Sequence, residues 1–276
     1  MMGEPLLRIN DLVVEFGRSR WSRFRALDSV SLDIHPGETV GLVGESGSGK
    51  TTLGRAVLGL APVTAGTVAF EGRDITRLPR RARRELANDI QVVFQDPYGS
   101  LSSTMSVQEI LTEPLRASGI GRSDSIQRVR TLLDQVGLPA NSGQRYPNEF
   151  SGGQRQRIAI ARALAIRPRL IVCDEPVSAL DLSTQARVLD LLRQIQDDTG
   201  VAYLFVSHDL AVVRHLSHRV AVMYRGQIVE SGNASTVTRT PSNPYTQRLL
   251  LSSPIPDLNR QRERRMSRSM LQPQSA

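Results

Sequence analysis

Three short apolar runs in the sequence carry no alternation of polar and apolar residues. They are Thr39 to Val43, Leu170 to Cys173 and Ala202 to Val206. Runs of this length without alternation are typical of strands that are buried on both faces of a parallel sheet. Helical patterns separate the three runs, and this order of strand, helix and strand predicts an α/β fold.

A second group of strands is predicted from polar and apolar alternation. Leu6 to Phe16 and Leu32 to Ile34 alternate, and Thr67 to Phe70 comes directly before a Glu-Gly turn signal. These segments predict strands with one face in solvent, as in an antiparallel edge. The basic stretch between the first two, GRSRWSRFRALD, is interpreted as a loop, and a solvated loop is favoured over a nucleic-acid contact.

The pattern divides the chain into a core and two additions. From Gln108 to Leu138 the sequence is helical and polar, with breaks predicted at Pro114, Gly119 and Gly121, which indicates a helical insertion. Helix and strand signals fade after Gly232, and the final stretch, RQRERRMSRSMLQPQSA, is basic and predicted to be disordered. The predicted division is a core of residues 1–95 and 160–232, a helical subdomain of 96–159 and a C-terminal extension of 233–276.

Composition narrows the classes of function. The chain has 276 residues, of which 39% are apolar, so it is expected to fold around a sizeable core. The formal net charge of +8 suits a phosphorylated ligand, a nucleic acid or an acidic membrane surface, although a solvated basic surface explains it equally well. The single cysteine, Cys173, excludes an internal disulfide framework and is expected in the core.

Membrane-spanning and secretory patterns are not found in the sequence. Its apolar runs are far shorter than the roughly 20 residues needed to cross a bilayer. The first ten residues, MMGEPLLRIN, contain an early acidic residue and no apolar h-region, so no secretory signal is expected.

The segment GESGSGKT, residues 44 to 51, matches the phosphate-loop pattern and lies between a predicted strand and a predicted helix. Its glycines let backbone N–H groups face a phosphate chain, and the helix N-terminus adds positive potential. Lys50, the only lysine in the sequence, is expected to contact the β and γ phosphates, and Thr51 to bind Mg²⁺. The candidate nucleotide-binding residues of this segment are Gly44, Glu45, Ser46, Gly47, Ser48, Gly49, Lys50, Thr51 and Thr52.

Two acidic residues in RLIVCDEP come just after a predicted buried strand. Asp174 and Glu175 therefore lie at the carboxyl edge of the sheet, where open α/β sheets bind ligands. Asp174 is a candidate Mg²⁺ ligand, and Glu175 is a candidate to orient and polarise an attacking water. His208 follows another predicted strand, in FVSHD; taken alone, a histidine in that position is more often structural than catalytic.

The segment EFSGGQRQRIAIARAL, residues 149 to 164, resembles the signature segment of ABC-type ATPases. A Ser-Gly-Gly run before a helix combines a hydroxyl, open backbone amides and a helix N-terminus, and so forms a second phosphate-binding site. The resemblance implies that this site faces the phosphate loop of another subunit, in a head-to-tail dimer that encloses two ATP molecules. The candidate nucleotide-binding residues here are Ser151, Gly152, Gly153 and Gln154.

The resemblance also implies roles for residues outside these segments. Gln95, in VFQDP, matches the glutamine that contacts the metal and the γ-phosphate. Asp181 ends the loop that crosses the dimer interface, and His208 matches the histidine that contacts the γ-phosphate. Phe16 matches the aromatic residue that stacks on adenine. Core packing of Phe16 stays open at this point, with Trp21 or Phe24 as the stacking residue instead.

The resemblance covers residues 6 to 252 and is strongest to the ATPase subunits of oligopeptide and dipeptide importers, which nickel importers also resemble. YPNEFSGGQRQR, QDPYGSL and PSNPYTQRLLLSSPIPD are the segments that carry it. Residues 102 to 104 depart from this branch, where Ser-Ser-Thr replaces its Asn-Pro-Arg. The chain also has no cysteine cluster near its C-terminus, so no metal beyond Mg²⁺ is expected.

The resemblance implies a P-loop NTPase of the RecA-like type, with an antiparallel β subdomain and a helical subdomain. It implies ATP and Mg²⁺ as cofactors, and ATP hydrolysis that drives import through separate permease subunits at the cytoplasmic face of a membrane. A second ATPase subunit, of the same or a related chain, and indirectly a solute-binding protein are the implied partners, without nucleic acid. The alternative is a soluble ABC ATPase that acts on ribosomes or DNA.

The Lys50→Arg variant tests whether the only lysine is required. Arginine keeps the charge but replaces a compact ammonium with a broad planar fork, for which a glycine-lined loop has no room. We expect ATP hydrolysis at saturating MgATP to fall by about 10²- to 10³-fold, as on loss of one electrostatic contact, while the thermal unfolding midpoint stays near that of the wild type. Wild-type turnover would contradict a specific requirement for lysine.

Overall fold

The computed structural model describes residues 3–17 and 23–252. Within these ranges the chain forms ten strands. In chain order they are β1 (Leu7–Phe16), β2 (Phe24–Ile34), β3 (Thr39–Val43), β4 (Val63–Phe70), β5 (Arg73–Asp74), β6 (Ile90–Val93), β7 (Leu170–Asp174), β8 (Ala202–Val206), β9 (Arg219–Tyr224) and β10 (Gln227–Asn233).

The same residues form ten α-helices and two short 3₁₀ segments. The helices are α1 (Lys50–Val57), α2 (Arg80–Leu86), α3 (Pro97–Ser100), α4 (Val107–Ala117), α5 (Arg122–Gln135), α6 (Gly152–Leu164), α7 (Leu182–Thr199), α8 (Leu210–Leu216), α9 (Ala234–Arg239) and α10 (Pro244–Ser252). In the part of the chain that the structure describes, none of them is both long enough and apolar enough to span a membrane.

A six-stranded sheet forms the centre of the molecule. Its strand order is β10-β9-β3-β8-β7-β6, and the strands from β9 to β6 pair in parallel, while β10 pairs antiparallel with β9. The register places Leu42 of β3 and Asp174 of β7 each opposite Val206 of β8. The three strands predicted from continuous apolar runs are therefore adjacent, and their carboxyl ends meet at one edge.

Side chains of these strands alternate between two hydrophobic cores. Along β7, Leu170 and Val172 pack into one core, whereas Ile171 and Cys173 pack into the other. All four side chains are at most 1% exposed. Burial on both faces explains the run without alternation, because neither face of the strand meets water, and each such side chain contributes about 1.5–3 kcal/mol.

The antiparallel sheet has the order β2-β1-β4-β5 and covers one face of the central sheet. The loop interpretation of GRSRWSRFRALD was wrong for its second half, because β2 begins at Phe24. Phe24 pairs with Phe16, and the Arg25 guanidinium donates to the Glu15 carboxylate at 3.1 Å. Pairing with β1 thus selects an extended conformation that local sequence did not indicate. Residues 18–22, with Trp21, lie outside the described residues.

Helices α3 to α6 lie between β6 and β7, where the sequence predicts a helical insertion. Helix α4 begins with a capping box in which Ser106 and Glu109 exchange hydrogen bonds. The predicted break at Pro114 was wrong, because α4 continues to Ala117 with Ile110, Leu111 and Leu115 in its buried face. The predicted subdomain boundary at residue 159 falls within α6, and the division into subdomains stays a prediction.

The C-terminal segment contains more structure than its fading sequence pattern indicated. Helix α9 starts where the Asn233 side chain accepts the N–H of Ser235. Four residues, 240–243, separate it from α10, and among them Ser242 donates its N–H to the Glu230 carboxylate of β10. The amphipathic pattern was missed because each helix is short. The predicted disordered tail lies outside the described residues.

Gly66→Ala tests the contact between β1 and β4, with Gly72→Ala as the matched control. Both glycines have positive φ, +82° and +74°, but an added Cβ at Gly66 would be 2.3 Å from the Asp11 carbonyl oxygen and one at Gly72 meets nothing within 4 Å. We expect Gly72→Ala to cost about 1–2 kcal/mol of backbone strain, and Gly66→Ala to cost about 1–3 kcal/mol more from overlap.

The measurement is the thermal unfolding midpoint of both variants under identical conditions. Each kcal/mol lowers the midpoint by about 2–4 °C for a chain of this size class. Equal midpoints for the two variants would contradict the steric role assigned to Gly66.

Candidate nucleotide-binding site

The phosphate loop joins the end of β3 to the start of α1, as the sequence predicts. Two of its glycines are required by close approach. An added Cβ at Gly44 would be 2.2 Å from the Met223 carbonyl oxygen, and one at Gly49 would be 2.7 Å from the Ala26 carbonyl oxygen. Both glycines also have positive φ, at +156° and +107°. The loop is therefore seated tightly between β2 and β9, and Lys50 starts the helix behind it.

The Lys50 side chain lies inside the loop and is only 5% exposed. Its ammonium donates to the carbonyl oxygens of Gly44 and Glu45 at 2.8 and 2.9 Å. Burial lowers the pKa of Lys50, while the nearby Glu175, Asp174 and Glu45 act in the opposite direction. The loop thus encloses one compact positive charge, of the kind that a phosphate chain requires.

Thr51 and Asp174 meet across the edge of the central sheet. The Thr51 hydroxyl donates to the Asp174 carboxylate at 3.0 Å. Burial raises the pKa of Asp174, and the hydrogen bond from Thr51 acts against that shift. A hydroxyl and a carboxylate are hard oxygen donors, which Mg²⁺ prefers, so the predicted metal residues fit that ion.

Glu175 follows β7 in a left-handed backbone conformation, with φ +48°. Its N–H donates to the Val206 carbonyl at 3.0 Å, and the Ser178 hydroxyl donates to its carbonyl at 3.0 Å. These bonds turn the Glu175 carboxylate toward His208, whose Nδ1 lies 2.9 Å from it. The structure therefore brings together Glu175 and His208, which are 33 residues apart in the chain.

Gln95 lies two residues beyond β6 and is exposed. Because β6 is the parallel neighbour of β7, its carboxyl end lies at the same edge of the sheet as Asp174. In the described part of the chain, no hydrogen bond connects the Gln95 side chain to Thr51 or Asp174. Gln95 is thus on the correct edge, without a direct contact to the two other predicted metal residues.

The signature segment forms the N-terminus of α6. The Ser151 hydroxyl accepts the N–H of Gln154, and the Gln154 side chain accepts the N–H of Ser151 at 3.0 Å. An added Cβ at Gly153 would be 2.2 Å from the Thr184 methyl, so this glycine permits close packing of α6 on α7. The N–H groups in the first turn of a helix lack partners within the helix, so the start of α6 has the chemistry of an anion site.

Asp181 caps the N-terminus of α7 next to the signature segment. Its carboxylate accepts from the Ser183 hydroxyl at 2.7 Å and from the Thr184 N–H at 3.0 Å. These hydrogen bonds hold the pKa of Asp181 well below its usual range. The exposed Leu182 follows, with 83% of its surface accessible. The loop thus presents a fixed carboxylate and a bare apolar side chain.

The two phosphate-binding segments are not joined within the chain. Among residues 3–17 and 23–252, no hydrogen bond connects residues 151–154 with residues 44–52. This separation agrees with a site completed by a second subunit, as the resemblance implies.

Phe16 and Phe24 lie opposite each other at the ends of β1 and β2. Phe16 is 42% exposed and Phe24 is 64% exposed, so neither side chain is part of the core. Core packing of Phe16 is therefore excluded. Both rings are therefore accessible for adenine stacking, and Trp21 lies outside the described residues.

Two contacts of the phosphate loop were missed by sequence reasoning. The N–H of Glu45 donates to the Tyr245 hydroxyl at 3.1 Å, and the N–H of Gly226 donates to the Ser48 carbonyl at 3.0 Å. Both partners lie about 180 to 200 residues away in sequence, and neither is part of a phosphate-loop pattern. No local signal in the sequence could have identified them.

A parallel central sheet with a phosphate loop, an acidic pair at its carboxyl edge and a second anion site on a helical insertion defines an ABC-type nucleotide-binding domain. A family model described as ABC transporter matches residues 27–178, which is more than half of the chain. The chain belongs to the ABC transporter family. The resemblance and the fold class predicted from the sequence are both confirmed.

Curated relatives extend this similarity over nearly the whole chain. The chain is 49% identical over 271 residues to the glutathione import ATP-binding protein GsiA of Shigella dysenteriae serotype 1. It is likewise 49% identical over 271 residues to GsiA of Escherichia coli strain K12. Both alignments cover 96% of this chain and 44% of the relative, so the chain spans less than half the length of these relatives.

Solved structures show the same architecture. A dimeric ATP-binding cassette in a post-hydrolysis state, bound to ADP and Pi, matches with a TM-score of 0.74 at 28% identity, over 83% of this chain and 98% of that chain. CbiO1 from Clostridium perfringens, part of the ABC transporter complex cbiONQ, matches with a TM-score of 0.77 at 26% identity, over 85% of this chain and 91% of that chain.

Proposed function

We propose that the chain is the ATPase domain of an ABC importer, which hydrolyses MgATP to drive uptake of small peptides through a separate membrane permease. The observation that carries this proposal is the cluster at the sheet edge. Lys50 lies in the phosphate loop, Thr51 contacts Asp174, and Glu175 contacts His208 at 2.9 Å. A protein that binds ATP without hydrolysing it does not need the contact between Glu175 and His208.

The phosphate loop binds the triphosphate by the backbone amides of residues 44–52 and the Lys50 ammonium. The present contacts of Lys50 to two loop carbonyls hold the ammonium inside the loop, so it is oriented before the nucleotide arrives. Thr51, Asp174 and Gln95 would hold Mg²⁺, which would supply neutralisation of the phosphate charge and polarisation of the γ-phosphate.

Glu175 orients the water that attacks the γ-phosphorus and accepts a hydrogen bond from it. Its carbonyl and N–H are anchored to Ser178 and Val206, so its carboxylate is held at the carboxyl edge of β7. His208 is a positioning partner of this carboxylate and a donor to the γ-phosphate. The 2.9 Å contact between the two supports the joint role.

The site is completed by a second subunit in a head-to-tail pair. Ser151, with the amides of Gly152 and Gly153, contacts the γ-phosphate held by the partner, and Gln154 fixes the serine through the capping box. Asp181 crosses the interface. The 83% exposure of Leu182 and the dimeric state of one similar cassette support this assembly. Phe16 stacks on adenine, with Phe24 beside it.

The transported solute is a short peptide or a peptide-like compound. Two curated relatives are named as glutathione import proteins, and glutathione is a tripeptide. This agrees with the oligopeptide and dipeptide branch expected from the C-terminal sequence. Nickel or another small solute is the alternative. The proposed partners are permease subunits at the cytoplasmic face of the membrane, a second copy or related ATPase, and indirectly a solute-binding protein.

The proposed subdomains differ in function. Residues 1–95 and 160–232 bind and hydrolyse the nucleotide, and residues 96–159 supply the signature segment and contact the permease. The departure at residues 102–104 lies in this second part. In the described part of the extension, residues 233–252, Tyr245 contacts the phosphate loop.

Glu175→Gln tests hydrolysis separately from binding. The amide still holds a water but polarises it poorly, so we expect turnover to fall by about 10²-fold or more while MgATP binding is kept. The trapped nucleotide then stabilises the dimer, which size-exclusion chromatography detects. A variant that is monomeric at saturating MgATP, alone and with its natural partner, would count against the sandwich mechanism.

Mixing Ser151→Arg with Lys50→Ala tests whether the site is shared between subunits. Each variant alone is expected to be inactive, because arginine excludes the γ-phosphate from the helix start and alanine removes the loop charge. A mixed dimer keeps one intact loop facing one intact signature segment. Half of the dimers in an equimolar mixture are mixed, so we expect recovery of up to about a quarter of the wild-type rate.

The control is each variant mixed with itself at the same total concentration. A site built from one chain alone predicts no recovery on mixing. Absence of recovery, with mixed dimers demonstrated by differently tagged chains, would therefore overturn the assignment of Ser151 to the partner's nucleotide.

A further inference from the structure

We propose that Tyr245, in the C-terminal helix α10, is a positioning residue that holds the phosphate loop in the geometry Lys50 requires. The proposal rests on the function proposed above, since it concerns the same site. Its starting observation is the hydrogen bond from the Glu45 N–H to the Tyr245 hydroxyl, at 3.1 Å and 200 residues apart in sequence.

One peptide plane connects Tyr245 with Lys50. The carbonyl of Gly44 and the N–H of Glu45 belong to the same planar trans peptide unit, so they point to opposite sides. On one side the Gly44 oxygen accepts the Lys50 ammonium at 2.8 Å, and on the other the Glu45 N–H donates to Tyr245. Rotation of this plane would break both contacts together. The tyrosine therefore fixes the orientation of a carbonyl that holds the catalytic ammonium.

The Tyr245 side chain is itself held firmly. It is 6% exposed, and its ring packs on Tyr224 at the end of β9, with the ring centroids 4.2 Å apart. Burial raises the pKa of Tyr245, so the neutral hydroxyl is the form present at neutral pH. A buried neutral hydroxyl is a stable acceptor for a loop amide.

The turn before α10 is held by hydrogen bonds to β10. The Glu230 carboxylate in β10 accepts the N–H of Ser242 at 2.7 Å, and the Asn243 side chain accepts the N–H of Tyr245 at 2.8 Å. The Asn243 amide in turn donates to the Val229 carbonyl at 3.2 Å. The C-terminal extension thus holds the Tyr245 hydroxyl in a fixed position against the phosphate loop. Movement of α10 would therefore change the position of the Gly44 carbonyl that binds Lys50, through a single peptide unit.

Tyr245→Phe removes only the hydroxyl and keeps the ring packed on Tyr224. The measurement is the dissociation constant for MgATP, determined in the Glu175→Gln background of the full chain so that hydrolysis does not interfere. We expect the constant to rise by about 2- to 10-fold, the range for loss of one hydrogen bond. Hydrogen exchange of the peptide that contains Glu45 should become faster as well.

Tyr203→Phe is the matched control. Tyr203 is also a buried tyrosine, and its hydroxyl donates to the Leu192 carbonyl at 3.1 Å. It pairs with Thr39 at the start of β3, whereas the phosphate loop follows the end of that strand. Its loss is expected to lower the thermal unfolding midpoint at least as much as Tyr245→Phe does. It should leave the dissociation constant for MgATP and the exchange at Glu45 unchanged, which separates positioning from general stability.

Two outcomes overturn the proposal. In the first, Tyr245→Phe changes neither the dissociation constant for MgATP nor the hydrogen exchange at Glu45. In the second, Tyr203→Phe changes these two quantities as much as Tyr245→Phe does. Failure of the proposed ATPase function gives a different result, because the wild-type chain then binds MgATP but does not hydrolyse it in the presence of its partners. In that case the role of Tyr245 is still decided by the ratio of two dissociation constants for MgATP, that of Tyr245→Phe and that of the chain with Tyr245. If the chain does not bind MgATP at all, the exchange at Glu45 decides it.

Discussion

The parallel pairing of β3, β8 and β7 is the constraint on which the site depends. Their register places Leu42 and Asp174 opposite Val206, so the phosphate loop and the acidic pair leave the sheet at one edge. Because both faces of these strands are buried, a shift by one residue would exchange the two cores. The distance between Thr51 and Asp174 is therefore set by hydrophobic packing of residues that never touch a ligand.

Electrostatics at this edge explain why charged groups tolerate burial. Burial lowers the pKa of Lys50 and raises that of Asp174, so each group alone would be driven toward its neutral form. The neighbouring opposite charges act against both shifts. An incoming polyphosphate adds negative charge beside the ammonium, which further favours the charged lysine. The electrostatics of the site thus favour binding of an anion. The compact ammonium of lysine also fits a loop that has no space for a wider group.

The anion site on α6 is built by a different principle. It uses a helix N-terminus, with Ser151 and Gln154 bound to each other, and in the described residues no hydrogen bond joins it to residues 44–52. In the head-to-tail dimer proposed above, symmetry rather than folding would bring this helix start to the phosphate loop of the partner. Tyr245 adds a third element, since it connects the C-terminal extension to the loop through the Gly44–Glu45 peptide. The C-terminal extension is therefore connected to the phosphate loop by a direct hydrogen bond.

Local patterns in the sequence were sufficient for the parallel strands β3, β7 and β8, the phosphate loop, the acidic pair and the start of α6. Each of these depends on residues that are neighbours in the chain. The start of β2 at Phe24, the continuation of α4 through Pro114 and the helices after Gly232 were missed, because cross-strand pairing and burial overrode weak local signals. Only the tertiary structure brought Glu175 to His208 and Tyr245 to Glu45, since contacts between distant residues follow from packing and leave no pattern along the chain.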